Sequence, residues 1–175
     1  MEYVAQTRSP FPLRTWDWQP NQASGNIGAS IFKAIVNSGK FNVSVLSRPE
    51  STNTYAASIK VVKSDYTEAS LVEALKGQDA VVSALGAASL QEEIKIIDAA
   101  VAAGVKRFIP SEYSCNSQKS KTTSLIPTFG LKVQINEHLK AQESKGLTWT
   151  AIEAGAAFDL VSISTPREAV ARLPL

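Results

Sequence analysis

The chain predicts an α/β fold, a doubly wound parallel sheet with helices on both faces, and three observations predict it. Helix and strand signals alternate from Ala23 onward. The run Asp79-Ala80-Val81-Val82-Ser83-Ala84-Leu85-Gly86 has the continuous apolar character of a strand buried on both faces, as parallel strands are. Ala23-Ser24-Gly25-Asn26-Ile27-Gly28 sets two glycines at the mouth of an amphipathic helix, where a wound sheet receives a phosphate.

The elements follow in order. Ile27, Ile31 and Ile35 share one helical face, and Gly39 supplies the left-handed residue that ends that helix. Residues 43–47 read as a strand, and Ile59-Lys60-Val61-Val62-Lys63 as a second. Asp65-Tyr66-Thr67-Glu68 offers cap residues for a helix carrying Leu71, Val72 and Leu75 and closed by Gly77. After the central run 79–86, Ile94, Ile97, Ala100 and Val101 form the stripe of a helix ended by Gly104. Arg107-Phe108-Ile109-Pro110 is a further strand, with Ser111-Glu112-Tyr113 at its carboxyl end. The polar stretch 114–124 reads as a mobile surface loop. Leu131, Ile135 and Leu139 then mark a helix, and Thr148-Trp149-Thr150-Ala151-Ile152 a last strand. Ahead of the glycine turn no apolar strand is evident. Trp16-Asp17-Trp18-Gln19-Pro20-Asn21-Gln22 stands there, with Gln22 where a first turn glycine belongs.

Composition narrows the function. At 175 residues, 44% hydrophobic and 19% charged, the chain can bury the core of one domain. Its formal charge of +2 is spread along the sequence, which argues against direct nucleic-acid contact. A single Cys115 and a single His138 allow neither an internal disulfide nor a structural zinc, and they fit a reducing compartment. No metal is expected. The first twenty residues lack the apolar core of about 7 to 15 residues that a secretory signal needs, and no run approaches the roughly 18 residues of a membrane span. Arg8, Ser9 and Arg14 faintly suggest a transit segment, but Glu2, Asp17 and three prolines oppose an amphipathic targeting helix. The expected location is cytoplasmic.

Ligands of a wound sheet lie beyond the carboxyl ends of its strands, so the residues just after each strand are the candidates. Gly25 and Gly28 let the backbone approach a pyrophosphate; the bland alternative is a plain turn. Arg48 sits where a ribose is read, and an arginine there pairs with a 2′-phosphate, which favours NADP over NAD. Glu50 is the competing feature. Asp65 either touches the adenine or caps a helix. Lys132 lies roughly 100° around its helix from the Leu131 stripe, so it can face the sheet edge, where a lysine beside a nicotinamide can donate a proton. It can equally be a solvated helix lysine. No Tyr-x-x-x-Lys pair exists in the chain. Cys115 and His138 fall on different elements with no third group to orient a base. His138 is expected to be a packed helix residue and Cys115 an incidental loop thiol.

Ala-Ser-Gly-Asn-Ile-Gly at 23–28, Leu-Ser-Arg at 46–48, Val-Ser-Ala-Leu-Gly at 82–86, Arg-Phe-Ile-Pro-Ser-Glu-Tyr at 107–113 and Gly-Leu-Lys at 130–132 together strongly resemble the NmrA-like and isoflavone-reductase-like proteins. These are atypical short-chain dehydrogenase/reductases with a Rossmann-like sheet. The resemblance covers roughly residues 22–160. It implies an NADPH site built from Ala23, Ser24, Gly25, Asn26, Ile27, Gly28, Arg48, Asp65, Leu85, Gly86, Ser111, Glu112 and Tyr113. It also implies that Lys132 matches the catalytic lysine and that the loop after Tyr113 borders the substrate pocket.

Two departures accompany it. The family's first strand, the middle of the sheet, is replaced by residues 16–22, so a gap between the flanking strands is expected. Residues 161–175 do not resemble the continuation into a substrate lobe. The expected organisation is thus an atypical, partly disordered segment 1–21, a dinucleotide-binding domain 22–160 and a divergent tail 161–175, as in a truncated or mis-spliced form of a longer chain. The expected function is NADPH-dependent reduction of a small aromatic or carbonyl-bearing metabolite. The alternatives are a non-catalytic NADP(H)-binding redox sensor that signals to a protein partner, and an inactive fragment.

Overall fold

A computed structural model describes residues 2–8, 26–114 and 127–155, with the backbone alone for residues 2–8, Asn26 and Pro127. Within them one sheet contains β1 (Glu2–Arg8), β2 (Phe41–Ser47), β3 (Lys60–Lys63), β4 (Ala80–Ser83), β5 (Arg107–Ile109) and β6 (Thr148–Trp149). The strand order is β3-β2-β1-β4-β5-β6, that of doubly wound nucleotide-binding sheets. The helices are α1 (Asn26–Asn37), α2 (Glu68–Leu75), α3 (Glu93–Ala102) and α4 (Pro127–Gln142), and a 3₁₀ turn, Ala87–Glu92, leads into α3. The glycine turn through Gly25, the segment 16–22, the loop 115–126 and the tail 161–175 lie outside the described residues.

The centre of the sheet corrects the expected gap. Glu2–Arg8 fills it and runs antiparallel to both neighbours, with Val4 opposite Val45 and Val82. The pairs β2/β3, β4/β5 and β5/β6 are parallel, so the wound sheet is parallel except for this reversed middle strand. The residues explain why this stretch takes the place. Glu2–Arg8 holds seven residues with Tyr3, Val4 and Thr7 among them and no proline or glycine, matching the seven of β2. Residues 16–22 contain Pro20, which has no N–H for a central ladder. An empty slot would strand buried amides and carbonyls at about 1 to 3 kcal/mol each, and β1 removes that penalty.

The two faces of the sheet are packed by alternate residues. Leu46, Val81 and Phe108 join Leu71 and Leu75 of α2, Ile96 and Ile97 of α3, and Ile135 and Leu139 of α4 in the larger core. Their strand neighbours Val45 and Val82 point the other way, to Phe32 and the partly buried Ile31 and Ile35 of α1. Of the isoleucine spacing read from the sequence, Ile31 and Ile35 join this face around the buried Phe32, while Ile27 does not. Gly39, at φ 63°, takes the left-handed conformation expected after that helix. β3 closes one edge of the sheet, with Lys60 and Lys63 at its ends and Val61 exposed. No helix among the described residues is long and apolar enough to cross a membrane.

Candidate functional site

The carboxyl ends of the parallel strands, the amino end of α1 and, because β1 is reversed, the Glu2 end of β1 meet at one edge of the sheet. Two cavities open there. The larger, about 520 Å³, lies beyond β2 and β3 and is bordered by Arg48, Ser64, Asp65, Tyr66, Gln91 and Lys95. The smaller, about 180 Å³, lies beyond β4 and β5 against α4 and is bordered by Ile27, Leu85, Ser111, Glu112, Tyr113, Phe129 and Lys132, among others.

Around the larger cavity the side chains are held locally. Arg48 Nε lies 3.3 Å from Glu50 Oε1, both side chains largely in solvent. Lys63 Nζ donates to the carbonyls of Arg48 (3.1 Å) and Ser51 (2.8 Å), fixing the turn that carries Arg48. Ser64 Oγ accepts from the Tyr66 amide at 3.1 Å and from Ser70 Oγ at 2.9 Å. That grip holds Tyr66 at φ 64°, a left-handed conformation that costs a residue other than glycine about 1 to 2 kcal/mol. Asp65 borders the cavity and also accepts from Thr67 Oγ1 (2.8 Å) and the Thr67 amide (3.1 Å). Those bonds from Thr67 hold its carboxyl below the usual range. The N-cap of α2 is Thr67 itself, whose side chain accepts from Ser70 N.

Gly28 has a steric role of its own. A Cβ there would sit 3.3 Å from Ala84 Cβ, tighter than an ordinary contact, so glycine eases the approach of α1 to the residue that follows β4. Gly86, at the start of the 3₁₀ turn, has open space where a Cβ would be. Asn26 is the first residue of α1, while Ala23, Ser24 and Gly25 lie outside the described residues.

At the smaller cavity the bonds are long-range and buried. Lys132 Nζ donates to the Glu112 carbonyl and, at 2.7 Å, to Ser114 Oγ. It also stands 5.6 Å from the centre of the Phe129 ring. Ser111 Oγ donates to the Leu85 carbonyl at 2.9 Å, tying the end of β5 to the end of β4. Asn136 Nδ2 reaches Glu112 Oε2 at 3.5 Å. The Tyr113 hydroxyl is buried without a hydrogen-bond partner, and its pKa is raised by burial and then by Glu93, so it keeps its proton.

Glu93 was not among the residues the sequence singled out. It is fully buried, and its Oε1 accepts from the Ser111 amide at 2.8 Å. Burial pushes its pKa up to about 7, against the opposing pull of Ser83, the Ser111 amide and Lys132 and with a small upward push from Glu112. His138 Nε2, by contrast, lies 2.7 Å from Asp98 Oδ1 and ties α4 to α3 on the surface side. Cys115 lies outside the described residues. Among the described residues no cluster of His, Cys, Asp and Glu could hold a metal ion.

Comparison with known proteins adds ancestry to this geometry. The sequence pattern described as the NmrA-like family matches residues 22–166. Oxidoreductase aprR of Aspergillus flavus is 37% identical over 136 residues, covering 76% of this chain and 46% of aprR. An isoflavone reductase homolog, IRL of Zea mays, is 36% identical over 102 residues, covering 57% of this chain and 32% of its own. A solved structure of AtPrR2 with NADP+ and (+)-pinoresinol superposes with a TM-score of 0.60 at 25% identity, over 77% of this chain and 50% of that one. The chain thus spans about half the length of aprR and of the AtPrR2 chain.

Proposed function

We propose, from the premise that this chain belongs to the NmrA-like family, that it binds NADPH along the carboxyl edge of its sheet and reduces a small aromatic or carbonyl-bearing metabolite. AtPrR2, solved with NADP+, supports the cofactor. The residues present fit it. The polar cavity carries two cations, Arg48 paired with Glu50 and Lys95 paired with Glu92, that a phosphate-bearing ribose would recruit from those partners. Gly28 packs the first turn of α1 against Ala84, which sets a helix amino terminus at this edge where a pyrophosphate would be favoured. Arg48, Asp65, Ile27, Gly28, Leu85 and the turn before α1 would hold the cofactor, which supplies a hydride when bound.

The single observation that carries the reading is the seat of Lys132. Its ammonium is fixed by a backbone carbonyl and a serine hydroxyl at the wall of a cavity whose lining includes Ile27, Leu85 and Phe129 beside the polar Ser111, Glu112 and Tyr113. A cavity of about 150 Å³ accommodates one benzene ring, so about 180 Å³ suits the ring or carbonyl portion of a small substrate. Lys132 holds a proton at Nζ and presents it, or its charge, to a substrate oxygen. Tyr113 keeps its phenolic proton, and Ser111 locks the wall by its bond to the Leu85 carbonyl.

The experiment is titration with NADPH, followed by turnover of small aromatic carbonyl compounds by the wild type and Lys132→Met. Cofactor affinity should hold while kcat falls by roughly 10²- to 10⁴-fold. Turnover that survives the substitution removes Lys132 from the chemistry. Binding without any turnover favours the redox-sensing reading with its protein partner. Indifference to millimolar NADPH leaves ancestry without activity.

A further inference from the structure

Glu93 has no part in the reading above, yet it is the acid most deeply enclosed beside the smaller cavity. Three observations bear on it. Its Oε1 accepts from the Ser111 amide at 2.8 Å, and Ser111 opens the segment whose Glu112 carbonyl holds Lys132. Its Oε2 is buried without a hydrogen-bond partner, and so is Ser83 Oγ. The Ser83 hydroxyl lies close enough to Glu93 to be the strongest influence opposing burial on it, yet neither Glu93 Oε2 nor Ser83 Oγ meets hydrogen-bond geometry with any partner. A carboxylate and a serine hydroxyl left apart in this way would each carry the desolvation cost of an unmade bond. Either charge state can close this gap, a carboxylate by accepting from the serine O–H and a neutral acid by donating to the serine oxygen, and the complete burial of Glu93 favours the neutral acid.

We propose that Glu93 is a positioning residue for Lys132: seated as the neutral acid, it accepts from the Ser111 amide through Oε1 and donates its proton from Oε2 to Ser83 Oγ. It thereby holds the ends of β4 and β5 and the start of α3 in one arrangement. The consequence lies at Lys132. The titratable groups around Glu93 are Glu112 and Tyr113 beyond β5 and Lys132 on α4. When Glu93 loses its proton, a negative charge appears behind the segment that anchors the lysine. That charge holds the ammonium form of Lys132 more firmly, and the Ser83 bond reverses, the serine O–H now donating to the carboxylate. Burial places this change close to neutral pH, so the site carries a proton-sensitive support just beneath its working cation.

The proposal rests on Lys132 being the working group, but its test needs neither cofactor nor substrate. The wild type, Glu93→Gln and Glu93→Ala are treated with a water-soluble amine-acylating reagent between pH 5.5 and 8.5, and the rate at Lys132 is read by peptide mass spectrometry. Glutamine keeps the acceptor for Ser111 and the donor for Ser83 but cannot ionise. Its Lys132 should be labelled at the wild-type rate below pH 6 and about two- to fivefold faster at pH 8.5, where wild-type Glu93 is charged. Alanine removes the anchor, so Lys132 labelling should rise at every pH, a change that glutamine rescues at low pH. If alanine prevents folding, the comparison of glutamine with the wild type decides alone. Superimposable pH profiles for the wild type and Glu93→Gln would overturn the proposal, as would an alanine variant that folds and labels like the wild type. Failure of the NADPH reading would appear in the cofactor titration and would leave these profiles unchanged.

Discussion

The two ends of the carboxyl edge are built by different means. Beyond β4 and β5, Lys132, Ser111, Leu85 and Glu93 are joined across 18 to 26 residues of sequence by bonds that are buried or half-buried. Beyond β2 and β3, Arg48 pairs with Glu50 two residues away in solvent, and Ser64, Asp65 and Thr67 bond mainly within their own turn. The first end can keep a geometry only while four elements stay docked. The second can be altered without disturbing the core. Chemistry that depends on the position of one atom belongs at the first, and recognition of a charged group, which tolerates movement, at the second. β1 stands between them and is paired to both.

The largest effect should therefore come from breaking that middle strand. Val4 lies opposite Val45 on one side and Val82 on the other. In Val4→Pro a ladder donor is lost and the ring opposes the strand, at a cost of about 3 kcal/mol or more. Thermal unfolding should fall by roughly 6 to 12 °C for a chain of this size. An unchanged midpoint would mean that Glu2–Arg8 does not occupy the centre of the sheet, and the comparison of its two sides would lose its frame.

The next effect separates the buried end from the exposed one by pH. Glu93 ionises near its ordinary value of 4.5 in the unfolded chain and at about 7 in the folded one. Between those values the folded state binds the additional proton. Its contribution to stability is therefore complete below about pH 4.5 and is lost as pH rises through about 7. Glu93→Gln has no such loss. Relative to the wild type it should gain stability on the order of 1 to 3 kcal/mol between pH 5 and 8, measured by denaturant unfolding at each pH. A constant difference between the two proteins across that range would show that Glu93 does not change its charge there.

Much of this arrangement was legible in the residues, and the exceptions have physical causes. Ile31 and Ile35 announced the seat of α1, whose buried residue is Phe32, while Ile27 borders the smaller cavity; the apolar run at 79–86 announced a strand buried on both faces, and the offset of Lys132 from the Leu131 stripe allowed it to turn toward the sheet edge. β1 was not legible. Glu2–Arg8 lacks the unbroken apolar character expected of a doubly covered strand, and a period of two is the same whichever way a strand runs. Glu93 was hidden by its position, because an acidic pair such as Glu92-Glu93 at a helix start is also what the helix dipole favours in solvent. Its surroundings come from elsewhere in the chain, from the Ser111 amide 18 residues later and from Ser83 at the end of β4. At the other cavity Tyr66 and Lys95 were missed for the same reason: only the fold brings them beside Arg48.

The smallest expected effect sharpens the exposed end. Arg48 is held by Glu50 at 3.3 Å with both groups in solvent, a pairing whose worth is about 0.2 to 1 kcal/mol. A 2′-phosphate would have to compete with that carboxylate for the guanidinium and would also be repelled by it. Glu50→Gln should therefore tighten NADPH binding by about two- to fivefold at low ionic strength, with the gain shrinking as salt screens the charge. Affinity for NADH, which lacks the phosphate, should not change. Stability should move by less than about 0.5 kcal/mol, since nothing buried is disturbed. If the substitution instead weakens NADPH binding, Glu50 works with Arg48, holding it in place for the ligand. The loose end of the edge would then share the preorganised character of the buried one.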